Sequence, residues 1–152
     1  MSQIASAAPA LKDALVVATK NMFQSDPHVL VTFGHPGNAS NDDLICWLGI
    51  RTQQVEGPVG PLRARDETVE IDVFISSVVV GDDDQAASDR AYFLLGQIEN
   101  YTRTTDTTLG GKCLWCFLTA TSSKGATEPA NLPSGRQIDI IATFTARVRI
   151  TN

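Results

Sequence analysis

Gln137-Ile138-Asp139-Ile140-Ile141-Ala142-Thr143-Phe144-Thr145-Ala146-Arg147-Val148-Arg149-Ile150 is the longest alternating run in the chain. Ile138, Ile140, Ala142, Phe144, Ala146, Val148 and Ile150 fall on one face of a strand, and Gln137, Asp139, Thr143, Thr145, Arg147 and Arg149 on the other. A second run of the same period lies upstream, where Val69, Ile71, Val73 and Ile75 alternate with Thr68, Glu70, Asp72 and Phe74. Two strands with one apolar and one largely polar face ask for a covering layer, and helical periodicity supplies it twice. Leu11, Ala14, Leu15, Ala18 and Met22 make an apolar stripe over 9–23, with Pro9 in the first turn. Ala87, Ala91, Leu94, Leu95, Ile98 and Tyr101 make another over 85–101.

Further strands are predicted at 29–33, at 43–51 and at about 112–121. In the second of these, Leu44, Cys46, Leu48 and Ile50 share one face and Ile45, Trp47 and Gly49 the other. Both faces are apolar, so cover on both sides is expected. Residues 52–66, with Gly57-Pro58-Val59-Gly60-Pro61, read as a long loop or an extended hairpin tip, and 122–136 as a second long loop. The order α-β-β-β-α-β-β groups strands rather than alternating them with helices. It predicts one α+β domain over 1–152, a mainly antiparallel sheet with two helices on one face.

The 152 residues are enough for one core, and 43% apolar with 19% charged residues is an ordinary globular balance. A net charge of −5 disfavours a dedicated nucleic-acid binder, which needs a basic face. No apolar run approaches the ~20 residues that span a bilayer. Lys12 and Asp13 interrupt what would be the apolar part of a secretory signal, and three cysteines do not make a disulfide scaffold. Reduced thiols and folding in a cytoplasm are expected.

No catalytic constellation emerges, and no cofactor or metal site is expected. His28 and His35 flank a predicted strand without Cys or Glu at ligand spacing, and read as solvated turn residues. Cys113-Leu114-Trp115-Cys116 has redox-motif spacing, but its surroundings are strand-like rather than a helix N-terminus. On a strand, positions three apart face opposite ways, so the two sulfurs are expected to diverge as buried structural thiols. Asp82-Asp83-Asp84 precede a helix and suit the positive end of its dipole better than a divalent cation. Gly110-Gly111 precede a strand, which suits a turn of positive φ rather than a phosphate cradle.

Several motifs in order carry a resemblance. The first helix leads to a strand ending Gly34-His35-Pro36, and a second strand starts at Asp42-Asp43-Leu44. Glu70-Ile71-Asp72-Val73-Phe74-Ile75 precedes a helix ending Leu94-Leu95-Gly96-Gln97-Ile98-Glu99. Then come Asp106-Thr107-Thr108-Leu109-Gly110-Gly111, a strand, a loop, and a last strand ending Ala146-Arg147-Val148-Arg149-Ile150. Over about 11–150 the chain resembles the tail terminator proteins of long-tailed, siphophage-type bacteriophages. The Cys113–Cys116 segment and the 122–136 loop stand outside that resemblance.

The resemblance implies a structural virion protein, not an enzyme. It implies a hexameric ring at the head-proximal end of the tail, capping the completed tube against further subunits. The implied partners are other copies of the chain, the major tail tube protein and the head-tail connector or stopper, with no membrane. DNA would pass through the lumen without specific binding. Six copies would carry six times −5, or −30, a charge that lets DNA slide if the acids face the lumen. The alternative within the virion is a head-tail connector, head-closure or other tail-completion protein.

A ring needs heterologous contacts that close. Two residue sets are the candidates, and solvated surface is the competing reading of both. Arg63 and Arg65 could pair with Asp82, Asp83 and Asp84 of a neighbour, and Arg147 and Arg149 could present the polar face of the last strand. On that reading Arg63→Glu with Arg65→Glu blocks ring closure and leaves the monomer folded.

Overall fold

The computed structural model describes residues 5–37, 41–56 and 64–151. These form helix α1 (Ala8–Met22), strands β1 (Val29–Thr32), β2 (Asp43–Glu56) and β3 (Arg65–Val79), helix α2 (Asp84–Asn100), and strands β4 (Trp115–Ser123) and β5 (Arg136–Ile150). The sheet order is β1-β2-β3-β5-β4. Only β1 and β2 run parallel, and the remaining pairs are antiparallel. This is the α+β arrangement expected from the grouped strands.

β3 and β5 form the spine, paired without interruption from Arg65↔Ile150 to Val79↔Arg136. Their apolar faces supply Val69, Ile71, Val73, Ile75, Ile138, Ile140, Ala142 and Phe144, all buried. Both helices lie on this face. Leu11, Leu15 and Val16 of α1, and Ala87, Ala91, Leu94, Leu95 and Ile98 of α2, join the same core.

The buried side of α1 is rotated from the expected stripe. Lys12 and Thr19 are buried with Leu11 and Leu15, while Ala14, Ala18 and Met22 are half-buried. Both polar side chains find partners there. Lys12 Nζ lies 4.0 Å from the Phe33 ring centroid, and the Thr19 hydroxyl donates to the Leu15 carbonyl (2.6 Å).

Two bulges alter the face pattern. Trp47 pairs with Val73 but Ile50 pairs with Ile71, so β2 holds one extra residue between them. Beyond that point every side chain changes face. Ile50 therefore shares a face with Trp47 rather than with Cys46, contrary to the simple alternation, and it is exposed. The expected double cover holds only at the middle of the strand, where Cys46 and Trp47 are both fully buried. β4 has a similar shift between Leu118 and Ala120.

The segment expected as a loop or an extended hairpin tip over 52–66 is strand at both of its described ends. β2 continues to Glu56 and β3 starts at Arg65, with Thr52↔Val69 and Glu56↔Arg65 in register. Residues 57–63 lie outside the described residues. The second expected loop is also shorter. β4 runs to Ser123, a 3₁₀ turn occupies Pro129–Ser134, and β5 begins at Arg136. Gly135 ends that turn at φ 119°, and a Cβ placed on it would lie 2.7 Å from the Val79 carbonyl oxygen. Gly135→Ala combines a disfavoured backbone with a clash against a strand that cannot move. A loss of about 2–3 kcal/mol is expected, read as a fall in Tm of roughly 4–12 °C.

Candidate assembly surface

Among the described residues no α-helix covers the other sheet face. Arg51, placed on that face by the β2 bulge, reaches across to β3. Its guanidinium donates to Asp72 from two nitrogens (2.6 and 3.0 Å) and to Glu70 Oε2 (3.1 Å). The Thr143 hydroxyl donates to Asp72 from β5 (2.8 Å), and the Thr119 and Thr145 hydroxyls meet at 2.7 Å. A polar band therefore crosses the sheet from β2 to β4. The Arg51 hydrogen bonds, with a smaller contribution from Thr143, hold the Asp72 carboxyl below its ordinary pKa, and burial opposes them.

Apolar residues flank this band. Trp115 and Phe117 stack with ring centroids 5.5 Å apart and Phe117 is exposed. Phe74 and Ile141 pair across β3 and β5, and Ile141 is 53% exposed. They border a cleft of about 280 Å³ between the open face and the 122–137 segment, with Asp139, Glu128, Lys124 and Ser122 on its walls. An exposed isoleucine and aromatics on an otherwise polar sheet face suit contact with another macromolecule.

The candidate interface residues have the following surroundings. Arg63 lies outside the described residues. Arg65 donates from Nε to Gln54 Oε1 (3.1 Å), and its guanidinium lies 3.5 Å from the Ala5 carbonyl. That position ties Arg65 to its own N-terminal segment, so Arg65→Glu would disturb the fold locally as well as any contact. Arg147 and Arg149 both approach Asp66 of β3, at 3.6 and 3.4 Å, and remain largely exposed. Asp83 caps α2 by accepting from the Ala86 N–H (3.0 Å), as expected of an acid before a helix. Asp84 accepts from the Thr127 hydroxyl and lies 4.0 Å from Arg136, while Asp82 is exposed. Arg65 and the aspartates are not brought together within one chain. Arg65 begins β3 and the aspartates follow its end, roughly 45 Å away at the usual rise per residue.

The motifs set aside as structural have structural partners. Asp106 Oδ1 accepts from the Gly110 N–H (3.0 Å), and Leu109, Gly110 and Gly111 have φ of 50°, 71° and 84°. The Asp-Thr-Thr-Leu-Gly-Gly stretch is thus a turn held by its own aspartate, following a single π-helical turn at Tyr101–Thr105. His35 Nδ1 accepts from the Gly37 N–H, and exposed His28 lies 3.4 Å from Asp42. Among the described residues no group of three or more His, Cys, Asp or Glu has an arrangement fit for a metal ion.

Cys113 and Cys116 differ from the divergent pair expected. β4 starts only at Trp115, so Cys113 lies in the preceding turn and strand alternation does not govern it. Both thiols are buried in the same core, and Cys113 Sγ faces the Thr107 carbonyl at 3.7 Å. Burial pushes Cys113 up to about 11 and Cys116 up to about 12, with neighbouring negative charge adding to each. Cys46 is also raised by burial. At pH 8 a thiol reagent is expected to modify the native protein far more slowly than the guanidinium-unfolded chain, which should show three reactive thiols. The same shifts favour the folded state while thiols stay protonated. That contribution is complete below the unfolded value near 9 and is lost as pH rises through the two folded values. Rapid modification of native protein at pH 8 would refute the burial argument.

Periodicity alone did not single out Arg51, Asp72 and Thr143 as a unit, nor Ile141. A signal for Ile141 was present, since it alone breaks the polar face of the last strand. Arg51 carried none, because only the bulge brings it onto the face with Asp72. No protein-family model matches the chain, and no curated protein matches its sequence.

Proposed function

We propose that this chain is a structural virion protein, a phage tail terminator whose copies close into a ring on the finished tail tube. The observation that carries the reading is the one-sided sheet. Its open face bears a self-satisfied polar band between two exposed apolar patches, a surface suited to being covered by protein. The order of helices and strands accords with the resemblance in the motifs, and the Asp106–Gly111 turn joins the second helix to the fourth strand. In this role the ring stops addition of tube subunits and offers the head connector a docking surface. DNA passes through the lumen, and no reaction is catalysed.

Deleting the gene and imaging the lysate by negative-stain electron microscopy tests the reading. Overlong tubes without heads are expected. Tails of normal length beside unattached filled heads would move the role to head-tail joining and overturn the terminator reading.

A further inference from the structure

One end of the open sheet face carries aromatic rings beside arginine. Trp115 of β4 lies directly opposite Arg147 of β5, and Phe117 stacks on Trp115 with ring centroids 5.5 Å apart. The Arg147 guanidinium approaches Asp66 only to 3.6 Å and keeps 51% of its side chain exposed. No described residue pairs with it more closely, so most of its N–H donors are open to an external acceptor. The turn between β3 and α2 has the complementary character. Val80 is 94% exposed, the most exposed large apolar side chain among the described residues. Asp83 and Asp84 serve their own chain, whereas Asp82 is exposed and has no partner among the described residues. An apolar side chain and a free carboxylate thus stand two residues apart on one turn. Thr68, which pairs with Arg147, is twelve residues before Val80, about 40 Å along the spine. Turn and patch of one chain therefore cannot meet.

We infer that the Val80–Asp82 turn of one copy docks on the Trp115–Arg147 patch of the next, with Val80 against the two rings and Asp82 on the Arg147 guanidinium. The inference rests on the ring reading and identifies the contact that builds it. Complementarity selects the occupant, since the chain itself supplies an apolar-and-acidic turn for an aromatic-and-arginine patch, and aromatics with arginine are the usual anchors of interfaces. Turn and patch are different surfaces, so the contact is heterologous. Each copy keeps one free turn and one free patch until the ring closes. Arg147 then takes the part expected of Arg65, whose guanidinium is engaged with Gln54 and the N-terminal segment of its own chain.

Charge reversal tests this, read by sedimentation velocity at protein concentrations up to about 1 mM. Asp82→Arg and Arg147→Glu are each expected to weaken self-association about tenfold, and the two together in one chain to restore it. Val80→Ser, which leaves the charges alone, is expected to weaken it by a similar factor. Mixed in equal amounts, the Asp82→Arg and Arg147→Glu chains should form a dimer that grows no further, because one intact turn meets one intact patch. Both positions are exposed, so the variants are expected to fold, which circular dichroism checks. Arg147→Gln, which sets no new acid beside Asp66, replaces the glutamate variant in the mixture if that chain does not fold. A parent chain that stays monomeric at that concentration, no loss in Val80→Ser, no restoration in the double variant, or no dimer from the mixture overturns the inference. If phage carrying Asp82→Arg still stop their tubes at normal length, the contact is wrong while the terminator reading stands. Restored association in the double variant beside normal-length tails from the gene deletion would keep the contact and remove the terminator role.

Discussion

Trp47→Ala is expected to lower the unfolding free energy by about 3–5 kcal/mol, the range for removing a large aromatic from a core. Trp47 is fully buried and is the largest side chain so enclosed. Its ring lies 5.6 Å from that of Phe144 at a 55° tilt, which joins β2 to β5 across β3. Its indole N–H donates to the Thr19 hydroxyl (3.3 Å), which joins the sheet to α1. Alanine removes both links and leaves a void that rigid strands on either side cannot close. Trp47→Phe keeps most of the ring and loses the hydrogen bond, so about 1–2 kcal/mol is expected. Urea unfolding measures both. A Trp47→Ala loss under 1 kcal/mol would mean that the core at this point is not packed as described.

Glu67→Ala is expected to cost about 3 kcal/mol, although it removes a charged residue from the apolar face of a strand. Glu67 is completely buried between α1 and the hairpin stem. One carboxyl oxygen accepts from the Ala7 N–H (2.8 Å) and the other from Gln54 Nε2 (2.7 Å). Gln54 Nε2 also donates to the Ala5 carbonyl (2.6 Å). Ala7 cannot cap a helix with its own side chain, so a strand residue sixty positions away caps α1 and sets a negative group at its positive end. Alanine leaves a buried N–H unpaired, worth roughly 1–3 kcal/mol, and forfeits the dipole contact and the packing. Glu67→Gln is nearly isosteric, yet its amide would set N–H donors against those of Gln54. It is expected to recover only part of the loss. Hydrogen exchange should quicken at residues 7–11 in both variants. An alanine variant within 0.5 kcal/mol of the parent would show that the clamp contributes nothing.

Glu67 also shows where reading the chain alone stops. Periodicity located the helices, the spine strands and their apolar faces, because those features are local and repeat. It placed Leu11, Leu15 and Ile71 in the core by spacing alone. The bulge at Leu48–Gly49 has no periodic signature, so Ile50 fell on the wrong face, and the face of Arg51, at the end of the expected strand, was not legible. Gln53, Gln54 and Val55 have strand partners that only the paired segment supplies, and the prolines beyond them drew the whole stretch into a loop or hairpin tip. Cys113 was assigned to a strand that starts two residues later. At the surface, the aspartates before α2 were legible as acids at the positive end of a helix dipole. The arginines of the last strand were legible as exposed, but their shared partner Asp66 depends on register across two strands.

If the chain is a terminator, its place on the tail is fixed. Gln97 is exposed on α2, away from the sheet, so Gln97→Cys offers a label site while the native thiols remain buried. Tails assembled with this variant and tagged with maleimide gold should carry label at one place, the end of the tube that meets the head. Label along the tube, at the far tip or on the capsid would contradict a terminator ring.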